Sequence, residues 1–449
     1  MKRTLVFLYA VACWSWIVPG TGALAQEKPS TKTLFTNVHV FDGKNEKLIM
    51  NANVLVEGNK IAKIAKSIPA PAGATVIDAK GKVLMPGLTD AHWHSMFNFW
   101  PISKVMTADF GLLSIAASKA ARETLMRGFT TVRDVGGNSF PLSRAADSGL
   151  IDGPCMYPSG GYIGQTSGHG DFRGPNDVPE NPGTPLDYMQ RVGHTLIADG
   201  VPEVIKRSRE VLRMGATQIK VMAGGGVSSL YDPLDVTEYT FDEMKAVVEV
   251  AKTWNTYVAI HANTDAAIRL WIDAGAMSVE HGFFIGEETA RLMANKGVWW
   301  SMQPMEAEGE DAFKFENPIS TAKYEQCVAG LDKVVALAKK YHINTAFGTD
   351  LLFDPKLAVK QGKFLAKLKK WYTPYEALKM STHDNAQLFK LSGPRDPYPG
   401  KLGVVEEGAY ADLLLVDGNP LQNLDLVADP DKNFVVIMKD GKIYKNTLN

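Results

Sequence analysis

The chain has 449 residues, of which 45% are hydrophobic and 22% charged, with a formal net charge of −1. This is an ordinary globular balance. It lacks the basic excess of a nucleic-acid binder and the long polar or like-charged tracts of a disordered chain. An α/β barrel alone takes about 250 residues, so the length leaves room for a barrel and a smaller domain.

At the start, Lys2 and Arg3 precede an apolar run over residues 4–18, Pro19 and Gly20 break it, and Ala23, Leu24 and Ala25 form an A-x-A site. That order predicts a secretory signal peptide over residues 1–25, cleaved after Ala25, and so a secreted or periplasmic protein. The run is shorter than the roughly 20 residues of a membrane span, so no stable membrane insertion is expected after cleavage. Two cysteines, Cys155 and Cys327, then remain. Export would allow them to pair, but too few are present for a disulfide scaffold, and two unpaired buried thiols are expected.

From residue 33 to 84, short alternating strands surround Asp42-Gly43, Gly58-Asn59 and Lys80-Gly81, which is hairpin chemistry. The tail repeats the pattern around Asp417-Gly418 and Asp440-Gly441. β segments at opposite ends of a chain can pair into one domain. Residues 26–85 and 393–449 are assigned to it, and residues 86–392 to a central domain.

In that central stretch, apolar strands are expected at 88–94, 130–136, 156–163, 218–224, 257–263, 278–284, 298–304 and 344–350. Helices with apolar residues at three- and four-residue spacing are expected at 201–215, 240–254, 264–275 and 286–297, several of them stopped by Gly. Eight strand–helix alternations predict a (β/α)8 TIM barrel. Residues 160–185, rich in Gly and Pro, are expected to form a loop over the barrel mouth.

Polar residues then fall where barrel enzymes keep their chemistry, at strand C-termini. His92 and His94 stand at i and i+2 and so share one strand face. Lys220 lies within an apolar strand, and His261, His281 and Asp350 close three others. Singly, each has a structural explanation: a satisfied core histidine, a helix cap at Asp350, a buried ion pair at Lys220. Jointly they point to a metal site with His92, His94, Lys220, His261, His281 and Asp350 as ligands. A protonated lysine would repel a cation and is costly to bury unpaired. Carboxylated by CO2, Lys220 becomes N6-carboxylysine, an anion with two oxygens able to bridge two divalent ions. Nitrogen and oxygen donors without cysteine suit Zn2+, and also Mn2+ or Co2+.

The pieces at 86–94, 130–137, 218–226, 259–263, 279–282, 348–350 and 408–421, in that order, resemble the amidohydrolase superfamily across essentially the whole mature sequence. The resemblance implies that His92 and His94 bind one ion and His261 and His281 the other. It further implies that Lys220 bridges them, that Asp350 binds the first ion and moves the proton, and that a β-sandwich is built from both chain ends. Residues 165–174 and 220–229 look like the subgroup of Xaa-Pro dipeptidases, carboxypeptidases and ochratoxin-hydrolysing amidases. That likeness implies cleavage of an amide bond to a C-terminal amino acid, in a dipeptide, an N-acyl amino acid or an aryl amide, by a metal-activated hydroxide. Ser167 departs from the Gly common in that subgroup, which leaves substrate detail open.

His169 is the expected substrate contact at the mouth, and Tyr231 could hydrogen-bond the scissile carbonyl. Gly224, Gly225, Gly226 and Ser228 could receive a substrate carboxylate. Trp93, Phe97, Phe99 and Trp100 could line an apolar pocket or belong to the core. A homo-oligomer acting on a small-molecule amide is expected. The competing functions are hydrolysis of a cyclic amide or phosphotriester by the same two-metal site, and a barrel scaffold without catalysis.

Overall fold

The structure, a computed structural model, describes residues 31–174, 176–177 and 184–448. The expected signal peptide lies outside the described residues. Both chain ends contribute to one hydrogen-bonded sheet of eight strands. Its junction is Val83–Pro86, which pairs in parallel with Lys32–Val40 and antiparallel with Leu413–Val416.

Alternation explains how this sheet is used. Leu413 and Leu415 point into a core shared with Phe35, Val54, Ile61 and Val436. Leu414 and Val416, on the opposite face, join the large core of the barrel together with Val83, Met85 and Phe434. A strand buried on both faces reads as an unbroken apolar run, which is what residues 413–416 are.

The barrel strands are β1 (Leu88–Trp93), β2 (Phe129–Asp134), β3 (Cys155–Pro158), β4 (Ile219–Met222), β5 (Val258–Thr264), β6 (Ser278–Phe284), β7 (Trp299–Met302) and β8 (Thr345–Phe347). Each coincides with an expected strand. The third differs in one respect: residues 156–163 are not a single strand but break at Ser159, Gly160 and Gly161, and a separate strand, Tyr162–Gly164, pairs beside β4. The four expected helices form as Val201–Met214, Phe241–Thr253, Asp265–Ala274 and Glu287–Lys296. Gly215, Gly275 and Gly297 end three of them in the left-handed region, the usual stop signal.

The parallel ladder runs β1-β2-β3 and again β4 through β8. Side chains bridge the two seams. Between β3 and β4, Gln218 Nε2 donates to the carbonyls of Tyr157 (2.9 Å) and Asp134 (3.2 Å). Between β8 and β1, Asn385 Nδ2 donates to the carbonyls of Phe347 (2.9 Å) and Thr89 (3.2 Å). The buried Asp90 carboxylate adds a clasp there, accepting from Thr349 N (3.1 Å), Thr349 Oγ1 (2.6 Å) and Gln361 Nε2 (2.8 Å).

Trp93 and Phe97 are fully buried core residues, while Phe99 and Trp100 are partly exposed. Cys155 and Cys327 are free and buried, and burial pushes the Cys327 thiol up to about 12. No helix among the described residues is long and apolar enough to cross a membrane.

One buried side chain gives the fold a pH dependence. His194 is buried between Phe97 and Phe110, its Nδ1 accepting from Asn138 N at 3.1 Å. Burial lowers its pKa from 6.5 to about 4. Between those values the unfolded chain binds a proton that the folded chain refuses, so stability falls as pH drops through that window. His194→Gln keeps an acceptor and removes the titration. The loss of unfolding free energy between pH 7 and pH 5 is expected to shrink by about 2 kcal/mol. Denaturant titrations at the two pH values measure it, and an unchanged difference would refute the assignment.

Candidate metal centre

The polar strand ends converge on one mouth. His92 Nε2 and His94 Nε2 lie 3.3 and 3.2 Å from Asp350 Oδ1. Ligand atoms of His92, His281 and Asp350 lie within 4.8 Å of one another. Rings continue across the mouth, with centroids 4.8 Å apart for His92–His281, 4.4 Å for His261–His281 and 4.1 Å for His169–His261, the last pair stacked at 19°.

Local backbone makes this convergence possible. In a regular strand, Glu280 and His281 would face opposite sides. His281 instead has φ 73°, and Gly282 follows at φ 61°, so the pleat ends there and both side chains serve the interior. Asp350 has φ 53°. A left-handed φ costs a residue with a side chain about 1–3 kcal/mol and persists only where surroundings impose it. Asp350 N donates to the His92 carbonyl at 2.9 Å, which locks the turn onto β1.

The donor set suits a divalent cation, as the second nitrogen of each ring demonstrates. A hydrogen-bond acceptor on one nitrogen places the hydrogen there and leaves the other as a lone pair. His92 Nδ1 faces Glu280 Oε2 at 2.8 Å, His94 Nδ1 faces the Gly136 carbonyl at 3.3 Å, and His281 Nδ1 faces Gln303 Oε1 at 3.0 Å. Gln303 is oriented in turn by its Nε2, which donates to the Ser301 carbonyl at 3.0 Å. These three rings therefore present Nε2 as ligand. His261 is reversed: Nε2 lies 3.3 Å from the Gly225 carbonyl, so Nδ1 is its free nitrogen. Burial, with neighbouring positive charge, holds His261 and His281 well below the usual imidazole range, so both stay neutral donors. Burial alone would raise the Asp350 pKa, but the His92 and His94 rings, when protonated on the Nε2 atoms that face it, hold it well below the carboxylate range, a place a bound cation would take.

Lys220 is buried on β4 and, among the described residues, forms no ion pair. Burial pushes its amine down to about 8, against the pull of Glu280 and Asp350. Beneath it, Arg133 is wholly buried and binds both oxygens of Glu280 at 2.7 and 2.8 Å, the Ala91 carbonyl at 2.6 Å, Tyr257 OH at 3.2 Å and Ser278 Oγ at 3.1 Å. Arg133, Glu280 and Gln303 are not among the expected site residues. The available signal is an arginine and a glutamate inside apolar strands, Glu280 directly beside His281.

His169 reaches the site, buried and stacked on His261. Its Nδ1 meets Asp232 Oδ2 at 2.9 Å and also contacts Ser229 Oγ, and its backbone N donates to Glu238 Oε1 at 2.7 Å. Asp232 is an ionised acceptor: burial would raise its pKa, but the His169 hydrogen bond lowers it. Nδ1 of His169 thus carries the hydrogen, and Nε2 is left as a lone pair. Gly226 is required here, because a Cβ would stand 2.2 Å from His169 Cε1.

The other expected contacts fall less close. Gly226 N is occupied by Asp232 Oδ2 at 2.7 Å, and the Gly225 carbonyl is taken by Asn263 Nδ2 at 2.9 Å and by His261. Ser229 rather than Ser228 puts its hydroxyl on His169, and Ser228 is only partly buried. Tyr231 is 50% exposed on the rim.

If Gln303 orients His281, its loss should weaken metal binding without unfolding the chain. Gln303→Leu is expected to lower metal affinity by about 10- to 100-fold, read by competition with a chelator. Wild-type affinity in the variant would refute this role.

The amidohydrolase family model matches residues 83–445. The ochratoxinase of Aspergillus niger is 32% identical over 423 residues, covering 88% of this chain and 83% of that one. A crystal structure of an amidohydrolase is 35% identical with TM-score 0.85, over 93% of this chain and 100% of that one. A prolidase crystallised with N-methylphosphonate-L-proline is 32% identical with TM-score 0.85, over 93% and 100%.

Proposed function

Because the chain belongs to the amidohydrolase family, we propose that it is a metal-dependent hydrolase of amide bonds that releases a C-terminal amino acid. The substrate class is dipeptides, N-acyl amino acids or ochratoxin-type aryl amides. The observation that carries this reading is the convergence of His92, His94, His281 and an ionised Asp350 on one mouth, each ring held with a free nitrogen by a second acceptor. The similarity to an ochratoxinase and a prolidase, both hydrolases by name, supports the amide bond as the target.

Two divalent ions, Zn2+ by ligand type, would supply a water of lowered pKa and a polarised carbonyl. His92, His94 and Asp350 would hold one and His261 and His281 the other, with Lys220 between them. For that, the Lys220 amine attacks CO2, forming an N–C bond and releasing one proton, and its low pKa keeps a neutral fraction available near neutral pH. Asp350 accepts a proton from the attacking water and returns it to the leaving nitrogen. His169, held through Nδ1 by Asp232, offers Nε2 to the substrate. The mature enzyme is proposed to act outside the cytoplasm, after loss of residues 1–25, and as a homo-oligomer.

The test is a panel of Xaa-Pro and other dipeptides, N-acyl amino acids, ochratoxin A, cyclic amides and phosphotriesters, run with metal analysis on wild type and Lys220→Ala. Wild type should bind about two ions and cleave amides. The variant should lose most of both, along with the labelled carbamate signal seen after incubation in isotopically labelled bicarbonate. Full activity without Lys220 would overturn the bridge, and cleavage of phosphotriesters with amides untouched would overturn the amide assignment.

A further inference from the structure

The loop after β4 is tied down from a distant element. Lys323 lies on the helix Pro318–Tyr341, which follows β7. Its side chain is buried, and its ammonium donates to the carbonyls of Gly226 (2.9 Å), Ser229 (2.9 Å) and Asp232 (2.8 Å). An ammonium has three donors and no acceptor, so all three are used on one loop of seven residues. The nearest carboxylate oxygen is Asp232 Oδ1 at 3.8 Å, an atom with no hydrogen bond of its own.

The other oxygen of Asp232 works from inside the loop. Oδ2 accepts from Gly226 N at 2.7 Å and from His169 Nδ1 at 2.9 Å. The two ends of the loop, residues 226 and 232, are thus drawn together twice, by Asp232 from within and by Lys323 from without. The tip of the loop carries Leu230 and Tyr231, both exposed. Nothing in the proposed reaction uses Lys323, and burying an ammonium at this point is costly unless every donor is answered.

We propose that Lys323 is a positioning residue: it holds the loop 226–232 so that Asp232 grips His169 and Tyr231 is set on the rim, coupling the β4 side of the mouth to the element that follows β7. The role in turnover rests on the hydrolase reading; the role in fixing the loop does not. Three short charge-assisted hydrogen bonds to carbonyls, rather than to a single acid, specify a backbone path. A shift of about 1 Å at a substrate contact can cost about a hundredfold in rate.

The experiment compares wild type, Lys323→Met, Asp232→Asn and the double variant, all as the full metal-loaded chain. Hydrogen exchange followed by mass spectrometry reads the peptide spanning 226–232. In Lys323→Met its exchange should rise about tenfold, with metal content and exchange of the β1 and β6 peptides unchanged. On the best substrate found, kcat/KM should fall about 10- to 100-fold, with KM carrying part of the loss. In the double variant the second substitution should add less than about twofold, because both act through His169.

Unchanged loop exchange in Lys323→Met, or fully additive kinetic losses, would overturn the proposal. Faster exchange across the whole barrel would make Lys323 a general stabiliser and overturn it equally. If Lys323→Met fails to fold, loop exchange in Asp232→Asn decides: a loop held by both residues must loosen when the inner tie is cut, and a protected loop would refute the arrangement. If no amide is cleaved by wild type, the hydrolase reading fails while the exchange result still judges the loop.

Discussion

A fully buried guanidinium sits under the candidate metal centre, and much of the barrel interior answers to it. Arg133 spends its donors on Glu280, Tyr257, Ser278 and the Ala91 carbonyl, reaching from β2 to β1, β6 and the residue before β5. Breaking a buried ion pair by removing one partner costs about 3–5 kcal/mol, so neither Arg133 nor Glu280 can change alone. Glu280 also receives His92 Nδ1. Burial would raise the Glu280 pKa; Arg133 keeps it ionised, and the ionised carboxylate sets the tautomer of a ligand one layer above. Charge pairing that fixes the barrel floor is thereby also the device that aims the site.

Around the mouth the same logic recurs with weaker partners. A backbone carbonyl sets His94 and His261, an amide sets His281, and a carboxylate sets His169. Each ring nitrogen not intended for a ligand has an acceptor. Five imidazoles in mutual contact would otherwise be free to choose tautomers and rotamers. Here the choice is made by neighbours on β6, directly after β2 and β7, and on the loop after β4.

The strands and the placing of the six expected site residues at strand ends were legible because two simple periodicities carry them. His92 and His94 share a face by strand parity, and His261, His281 and Asp350 sit where apolar runs stop. What escaped notice depends on geometry that sequence spacing does not encode. Glu280 and His281 are neighbours whose side chains both point inward because His281 takes a left-handed φ, and period-two reasoning assigns them to opposite faces. Asp232 and Lys323 are ordinary polar residues in a loop and on a helix, and they become significant only when residues 91 positions apart meet. The expectation that the N–H groups of Gly224, Gly225, Gly226 and Ser228 could receive a carboxylate did not anticipate that Asp232, from the same loop, takes the one at Gly226. The break in β3 likewise falls at Gly160, whose φ of 73° is left-handed and which has no room for a Cβ against Phe140.

The seam between β8 and β1 has a consequence for the order of events in folding. The barrel closes there through Asp90, Thr349, Asn385 and Gln361, contributed by the two ends of the barrel sequence. Asp350 meets His92 and His94 across the same seam. Contacts between residues so distant in sequence form late, since the loop-closure entropy must be met first. A growing or partly folded chain therefore carries His92, His94, Lys220, His261 and His281 without Asp350. The polar cluster at the mouth is thus complete only once the last barrel strand is in place.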